Sequence, residues 1–259
     1  MIQYTSKLEI VADPSQDYRA ISDFAIKHRC RAVVVNPDLV MPYTVEKSAK
    51  GAQYQIIATI DHPKGEIFGL DKIYRIDRAA FDNADGFDIL PTPGKSQIES
   101  RNEIRFLVEF IHQMKPQSSI RLNLGMRTRS KQEVENYLLA AKEYPPHFIR
   151  TDIHTSLQDT INHANDYGIV VSHVAYPIIA SGNITEIDID ANPKIDRFAV
   201  NFDQAQEIAA GSQARRQAQD YFDESDDPET ESMIKQYERA SGIQAAPIEN
   251  ESSMGRDNV

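Results

Sequence analysis

One cysteine, Cys30, in 259 residues excludes a disulfide framework and leaves no Cys cluster for structural zinc. No apolar run approaches the roughly 20 residues needed to cross a bilayer. The N-terminus carries no signal-peptide core. These absences lead us to expect a cytoplasmic chain without a membrane partner. Excess positive charge is also lacking: a net charge of −11 and a pI near 5.1 disfavour nucleic acid as the main partner. Neither G-x-G-x-x-G nor G-x-x-x-x-G-K-[ST] occurs, so the usual phosphate cradles of open nucleotide-binding sheets are missing. H-x-H and H-E-x-x-H are missing too.

What is present is an ordinary globular composition, 41% hydrophobic and 26% charged, with material for one large core. The charge is unevenly spread. Residues 213–259 hold eleven acidic against five basic side chains and read as an acidic tail beyond a domain of residues 1–212. Within it, Asp220–Glu231 is a solvated connector. A short helix is predicted at about 228–241, with Asp227 as cap, Pro228 at its first position and Gly242 at its exit. Met233, Ile234 and Tyr237 share one stripe of that helix and are the predicted partner-binding residues. So short a helix needs a surface to dock on, either a protein partner or another copy in a homo-oligomer.

Upstream, short β-branched or apolar runs alternate with helix-period segments. The predicted strands are Lys7–Ala12, Arg31–Asn36, Tyr54–Ile60, Gly86–Leu90, Ser119–Leu124, His147–Ile153, Ile169–Val174 and Asp196–Phe202. Helices are expected after Asp13-Pro14, along Ile104–Met114, after a Ser130–Glu133 capping box and over about 156–165. Eight such units predict an α/β fold, a closed (β/α)8 TIM barrel, because closure removes the edges that a long parallel sheet would expose. An open doubly wound sheet is the alternative.

In a barrel, chemistry belongs at the C-terminal ends of the strands. Asp61, His62, Asp152, His154 and His173 fall there, and such an N/O set could hold a divalent metal. The alternative is that they are loop polar groups facing water, and the lack of H-x-H or H-E-x-x-H spacing favours it over the metal. Gly86-Phe-Asp-Ile-Leu90 offers one inward carboxylate, Asp88, suited to proton transfer or to a satisfied place in the barrel core.

The order of motifs from Leu8 to Ala209 resembles the deoxyribose-phosphate aldolase family. Arg31-Ala-Val-Val-Val-Asn-Pro37 is similar to its second strand, and Ile57-Ala-Thr-Ile-Asp-His-Pro-Lys-Gly65 to its third. Asn83-Ala-Asp-Gly-Phe-Asp-Ile89 places Asp88 on the family's catalytic aspartate. Phe148-Ile-Arg-Thr-Asp152 resembles the strand that ends in Lys-Thr-Ser. Ala180-Ser-Gly-Asn-Ile184 and Arg197-Phe-Ala-Val-Asn201 resemble the last two strand ends with their phosphate-binding turns.

The departures fall on the chemistry. The resemblance puts the Schiff-base lysine at Arg150 and a second lysine at Ile179. A guanidinium has no accessible neutral form and makes no imine. The resemblance also implies a degraded anion site in the barrel mouth, formed by Arg150, Ser181, Gly182, Asn183 and Asn201, with no cofactor. Three functions stay open: a non-catalytic aldolase-like barrel (a pseudoenzyme) acting as a structural or interaction module, an aldolase or lyase acting on a phosphorylated sugar by an altered mechanism, and a metal-assisted enzyme using the Asp/His set.

Overall fold

The computed structural model describes residues 4–61, 69–126, 128–151, 178–181, 184, 189 and 195–211. The chain divides into units Met1–Ser212 and Gln213–Val259. The second, with Met233, Ile234, Tyr237 and the expected 228–241 helix, lies outside the described residues, as does the helix expected over about 156–165.

Eight parallel strands close into a barrel in sequence order: β1 Leu8–Val11, β2 Ala32–Val35, β3 Gln55–Ile60, β4 Gly86–Ile89, β5 Ser119–Asn123, β6 Phe148–Arg150, β7 Ile178–Ser181 and β8 Arg197–Asn201. The helices are α1 Tyr18–Lys27, α2 Val40–Ala49, α3 Gly69–Phe81, α4 Gln97–Met114 and α5 Lys131–Glu143, followed by α6 over 202–211.

Two expectations need correction. The seventh barrel strand is Ile178–Ser181, hydrogen-bonded between β6 and β8. The run 169–174, expected to fill that place, lies outside the described residues. The sixth strand is also shorter than His147–Ile153. At its end, the Thr151 amide donates to the Ile179 carbonyl at 3.2 Å.

Strand parity divides the buried residues into two sets. Leu8, Ile10, Val33, Val35, Ile56, Ala58, Phe87, Ile89, Ile120, Leu122, Ile149, Phe198 and Val200 belong to the large core between sheet and helices. Ala32, Val34 and Ile57, with Val11 against them, form a separate small cluster inside the barrel. The same alternation turns Glu9, Gln55, Asp88, Arg121, Asn123, Phe148, Arg150 and Arg197 toward the interior. Branched apolar layers usually fill such an interior. Here charge fills much of it.

Local signals set the helix starts. Asp17 caps α1, accepting from the Arg19 amide at 2.9 Å, so α1 begins five residues beyond Asp13. Ser96–Glu99 and Ser130–Glu133 form reciprocal capping boxes on α4 and α5. Asn201 ends β8, and its side-chain oxygen accepts from the Gln204 amide at 2.8 Å, which fixes the first turn of α6.

At Gly86 the backbone of β5 comes too close for a side chain. A Cβ there would lie 2.5 Å from the Ser119 carbonyl oxygen and 2.9 Å from Ile57 Cδ1. Because the first obstacle is backbone, Gly86→Ala should destabilise the barrel by about 1–3 kcal/mol. Urea denaturation measures this, and an unchanged midpoint would mean that β4 and β5 separate without cost.

Candidate functional site

Asp88 lies on β4 and Arg150 on β6, with Arg121 and Asn123 of β5 between them in register: Asp88 pairs with Arg121, and Asn123 with Arg150. Arg150 Nη1 donates to Asp88 Oδ2 at 2.5 Å, and both side chains are almost wholly buried. The other oxygen, Asp88 Oδ1, accepts no hydrogen bond among the described residues. Ile179 is the register neighbour of Arg150 on β7. The structure therefore brings three positions assigned by the sequence resemblance, 88, 150 and 179, to adjacent places inside one barrel wall.

Deeper in the barrel lies a second ionic group that the sequence reading did not single out. Arg121 Nη1 donates to Glu9 Oε2, and Arg197 Nη1 donates to Glu9 Oε1 at 2.9 Å and to Gln55 Oε1 at 3.3 Å. The Arg197 guanidinium sits 4.0 Å from the Phe148 ring centroid, a cation–π contact. Burial alone would raise the Glu9 pKa, but Arg121 and Arg197 together hold it below the usual carboxylate value. Burial pulls the Arg121 pKa down, and Glu9 opposes that shift. The signal was available: Leu8-Glu9-Ile10 and Ile120-Arg121-Leu122 each set one charge at an inward position of a short apolar strand.

A third buried group joins the ends of β3 and β4 to helices α3 and α4. The Lys72 ammonium, fully buried on α3, donates to Leu90 O at 2.8 Å, Thr92 Oγ1 at 3.0 Å and Glu103 Oε1 at 2.9 Å. It also lies 3.3 Å from Asp61 Oδ2. Glu103 accepts from the Thr92 amide at 3.1 Å, and Lys95 Nζ lies 3.3 Å from Glu103 Oε2. Burial would raise the Glu103 pKa, and Lys72 and Thr92 together more than offset it, leaving the value lowered. An ammonium shared among so many oxygens serves as an internal counter-ion, not as a nucleophile.

Of the Asp/His set, Asp61 is described and is bound into the Lys72 group. His62, Asp152, His154 and His173 lie outside the described residues. Among the described residues, no three His, Cys, Asp or Glu side chains gather as a metal site. Ser181 ends β7, and Gly182 and Asn183 lie outside the described residues. Burial pushes the Cys30 thiol up to about 12, which removes it as a thiolate nucleophile at neutral pH. Among the described residues, no helix is long and apolar enough to cross a membrane.

No protein-family model and no curated protein matches the sequence. Solved structures do share its fold. A deoxyribose-phosphate aldolase from Aeropyrum pernix superposes with a TM-score of 0.67 at 13% identity, covering 81% of this chain and 91% of its own. An aldolase called QR15 gives 0.61 at 20% identity, over 83% and 98% of the two chains. A 2,3-dimethylmalate lyase gives 0.54 at 13% identity, over 93% and 98%. Likeness at such identities shows an aldolase-like TIM barrel fold, and fold leaves activity open.

Proposed function

We propose that this chain is a non-catalytic aldolase-like barrel that serves as a structural or protein-interaction module. The observation that carries this reading is the buried Arg150–Asp88 pair at 2.5 Å, with Ile179 beside it in register. By the sequence resemblance, these positions should hold a Schiff-base lysine, its aspartate and a second lysine. A class I aldolase needs an amine that sheds its proton and attacks a carbonyl. Arginine does neither, and Ile179 supplies no charge to depress the pKa of a neighbouring amine. Lys72, fully buried, is held by carboxylate, carbonyl and hydroxyl oxygens. Interaction through the acidic segment 213–259, by way of Met233, Ile234 and Tyr237, is the second half of the proposal and rests on sequence pattern alone.

The test is cleavage of deoxyribose 5-phosphate by the full-length chain. We expect no turnover above background from the wild type. We expect none from Arg150→Lys, because Ile179, its register neighbour, supplies no positive charge to depress the pKa of the new amine beside the Asp88 carboxylate. Measurable turnover by the wild type would overturn the proposal. Turnover by the single variant would show that one substitution, not a dismantled site, separates this barrel from catalysis.

A further inference from the structure

Helix α3 buries Lys72, Ile76 and Ala79 against the barrel. At about 100° per residue, Leu70, Tyr74, Asp77 and Phe81 cluster within about 60° on the opposite side, flanked by Arg78 and Asp71. That outward stripe is apolar where solvent-facing helices are usually polar. Leu70 and Phe81 are each 84% exposed and Tyr74 is 65% exposed. The patch extends onto α4. Phe81 and Met114, with Asp77, Arg78 and Ala80, line a crevice of about 490 Å³ between the two helices. Phe106 and Gly69 share a second crevice farther along the same junction. Together these five large side chains offer roughly 700 Å² of surface, more than a monomer usually leaves open in one patch.

We propose that the α3–α4 face is a self-association surface on which two copies pack their α3 helices antiparallel about a two-fold axis. The proposal stands whether or not the barrel is catalytic. Charge selects the occupant. Two copies of a chain with net charge −11 repel across most of their surfaces. On α3, Asp71 and Asp77 balance Arg75 and Arg78, so the patch approaches its own copy without net repulsion.

The pattern is also self-complementary. Asp71 occupies the first turn of α3 and Arg78 the last. Antiparallel packing sets Asp71 of one copy against Arg78 of the other, twice, as an isologous interface requires. Leu70 then meets Phe81, also twice. Both pairings centre within a residue of Arg75, so one register satisfies them. The existing exposed pair of Arg78 with Asp38, at 2.6 Å, is of a kind that contributes little, and the guanidinium fork has donors for both carboxylates. Two patches bury roughly 1,400 Å², within the range of specific interfaces.

Sedimentation velocity of the full-length protein across a concentration series tests this directly. The wild type should form a dimer. The double substitution Tyr74→Glu with Phe81→Glu should raise the dimer Kd by about a hundredfold or more, with the thermal melt of the barrel checked alongside. A charge swap keeps the test decisive if the glutamates disturb folding. Asp71→Arg alone should weaken the dimer, and Asp71→Arg with Arg78→Asp should restore it, since the reciprocal pairs re-form with reversed sign. A protein monomeric at every concentration would overturn the proposal. So would a dimer indifferent to all these substitutions, because its interface would lie elsewhere.

Discussion

Glu9→Gln should destabilise the barrel by about 3–5 kcal/mol, although it changes one oxygen to an amide in a site closed to solvent. Glu9 is the shared counter-ion of Arg121 and Arg197. Losing its charge leaves two buried guanidinium groups facing each other across a low-dielectric interior. At about 2–4 °C per kcal/mol for a domain of this size, the melting temperature should fall by about 6–20 °C. Adding Arg121→Met should recover part of that loss, because removing a buried ion together with its partner costs far less than orphaning it. The recovery is the informative result, since packing damage at Glu9 would make the double variant worse. The pH dependence follows from the lowered Glu9 pKa. Its stabilisation is present in full above the unfolded value of 4.5 and is lost as pH falls through the lower folded-state value. The wild type and Glu9→Gln should therefore converge in stability on acidification.

Lys72→Met should cost a similar amount, about 3–5 kcal/mol, for the opposite reason. The substitution keeps the length and apolar stem of the side chain and deletes the cation. Glu103 and Asp61 then remain buried beside each other without the ammonium that joins them. Glu103 would keep its bonds from Thr92 but lose the Lys72 charge that, together with them, offsets its desolvation, so its folded-state pKa should rise. Protonation then relieves the buried charge. The deficit of Lys72→Met should be largest above pH 4.5, the ordinary value for Glu103, and should shrink below it. A melt series from neutral to acidic pH measures this, and a deficit constant across the series would mean that the lost stability was packing alone.

Periodicity made much of the barrel legible in the sequence. Runs that are apolar on both faces mark strands covered by helices, and seven of the eight were placed by that pattern. The seventh was not. The longer β-branched run at 169–174 outranks Ile178-Ile-Ala-Ser181 in local propensity, but the barrel place is decided by pairing to β6 and β8, which no local window contains. Alternation also set Asp88 and Arg150 on the inner wall, and the structure pairs them. Applied as strictly to Leu8-Glu9-Ile10 and Ile120-Arg121-Leu122, the same alternation would have found the Glu9 group.

The Lys72 group was less accessible. A lysine in the buried stripe of an amphipathic helix looks like an interruption of the pattern, and its partner Glu103 stands 31 residues away. Asp61 adopts a left-handed backbone conformation, φ 70°, which no residue pattern near it announces. Aspartate at a strand end suits both a metal site and an ion pair. Only three-dimensional proximity to an ammonium separates them.

The proposal that no lysine of this chain forms an imine is tested most directly by intact-mass measurement after reductive trapping. The full-length protein is incubated with deoxyribose 5-phosphate, reduced with borohydride and weighed. An imine to any lysine becomes a stable secondary amine and adds the mass of the reduced sugar phosphate. The expected mass is that of the untreated protein, with Arg150 held by Asp88 and Lys72 by its four oxygens. A stoichiometric adduct, mapped to a single lysine by peptide fragmentation, would contradict the account and restore the barrel to the aldolases.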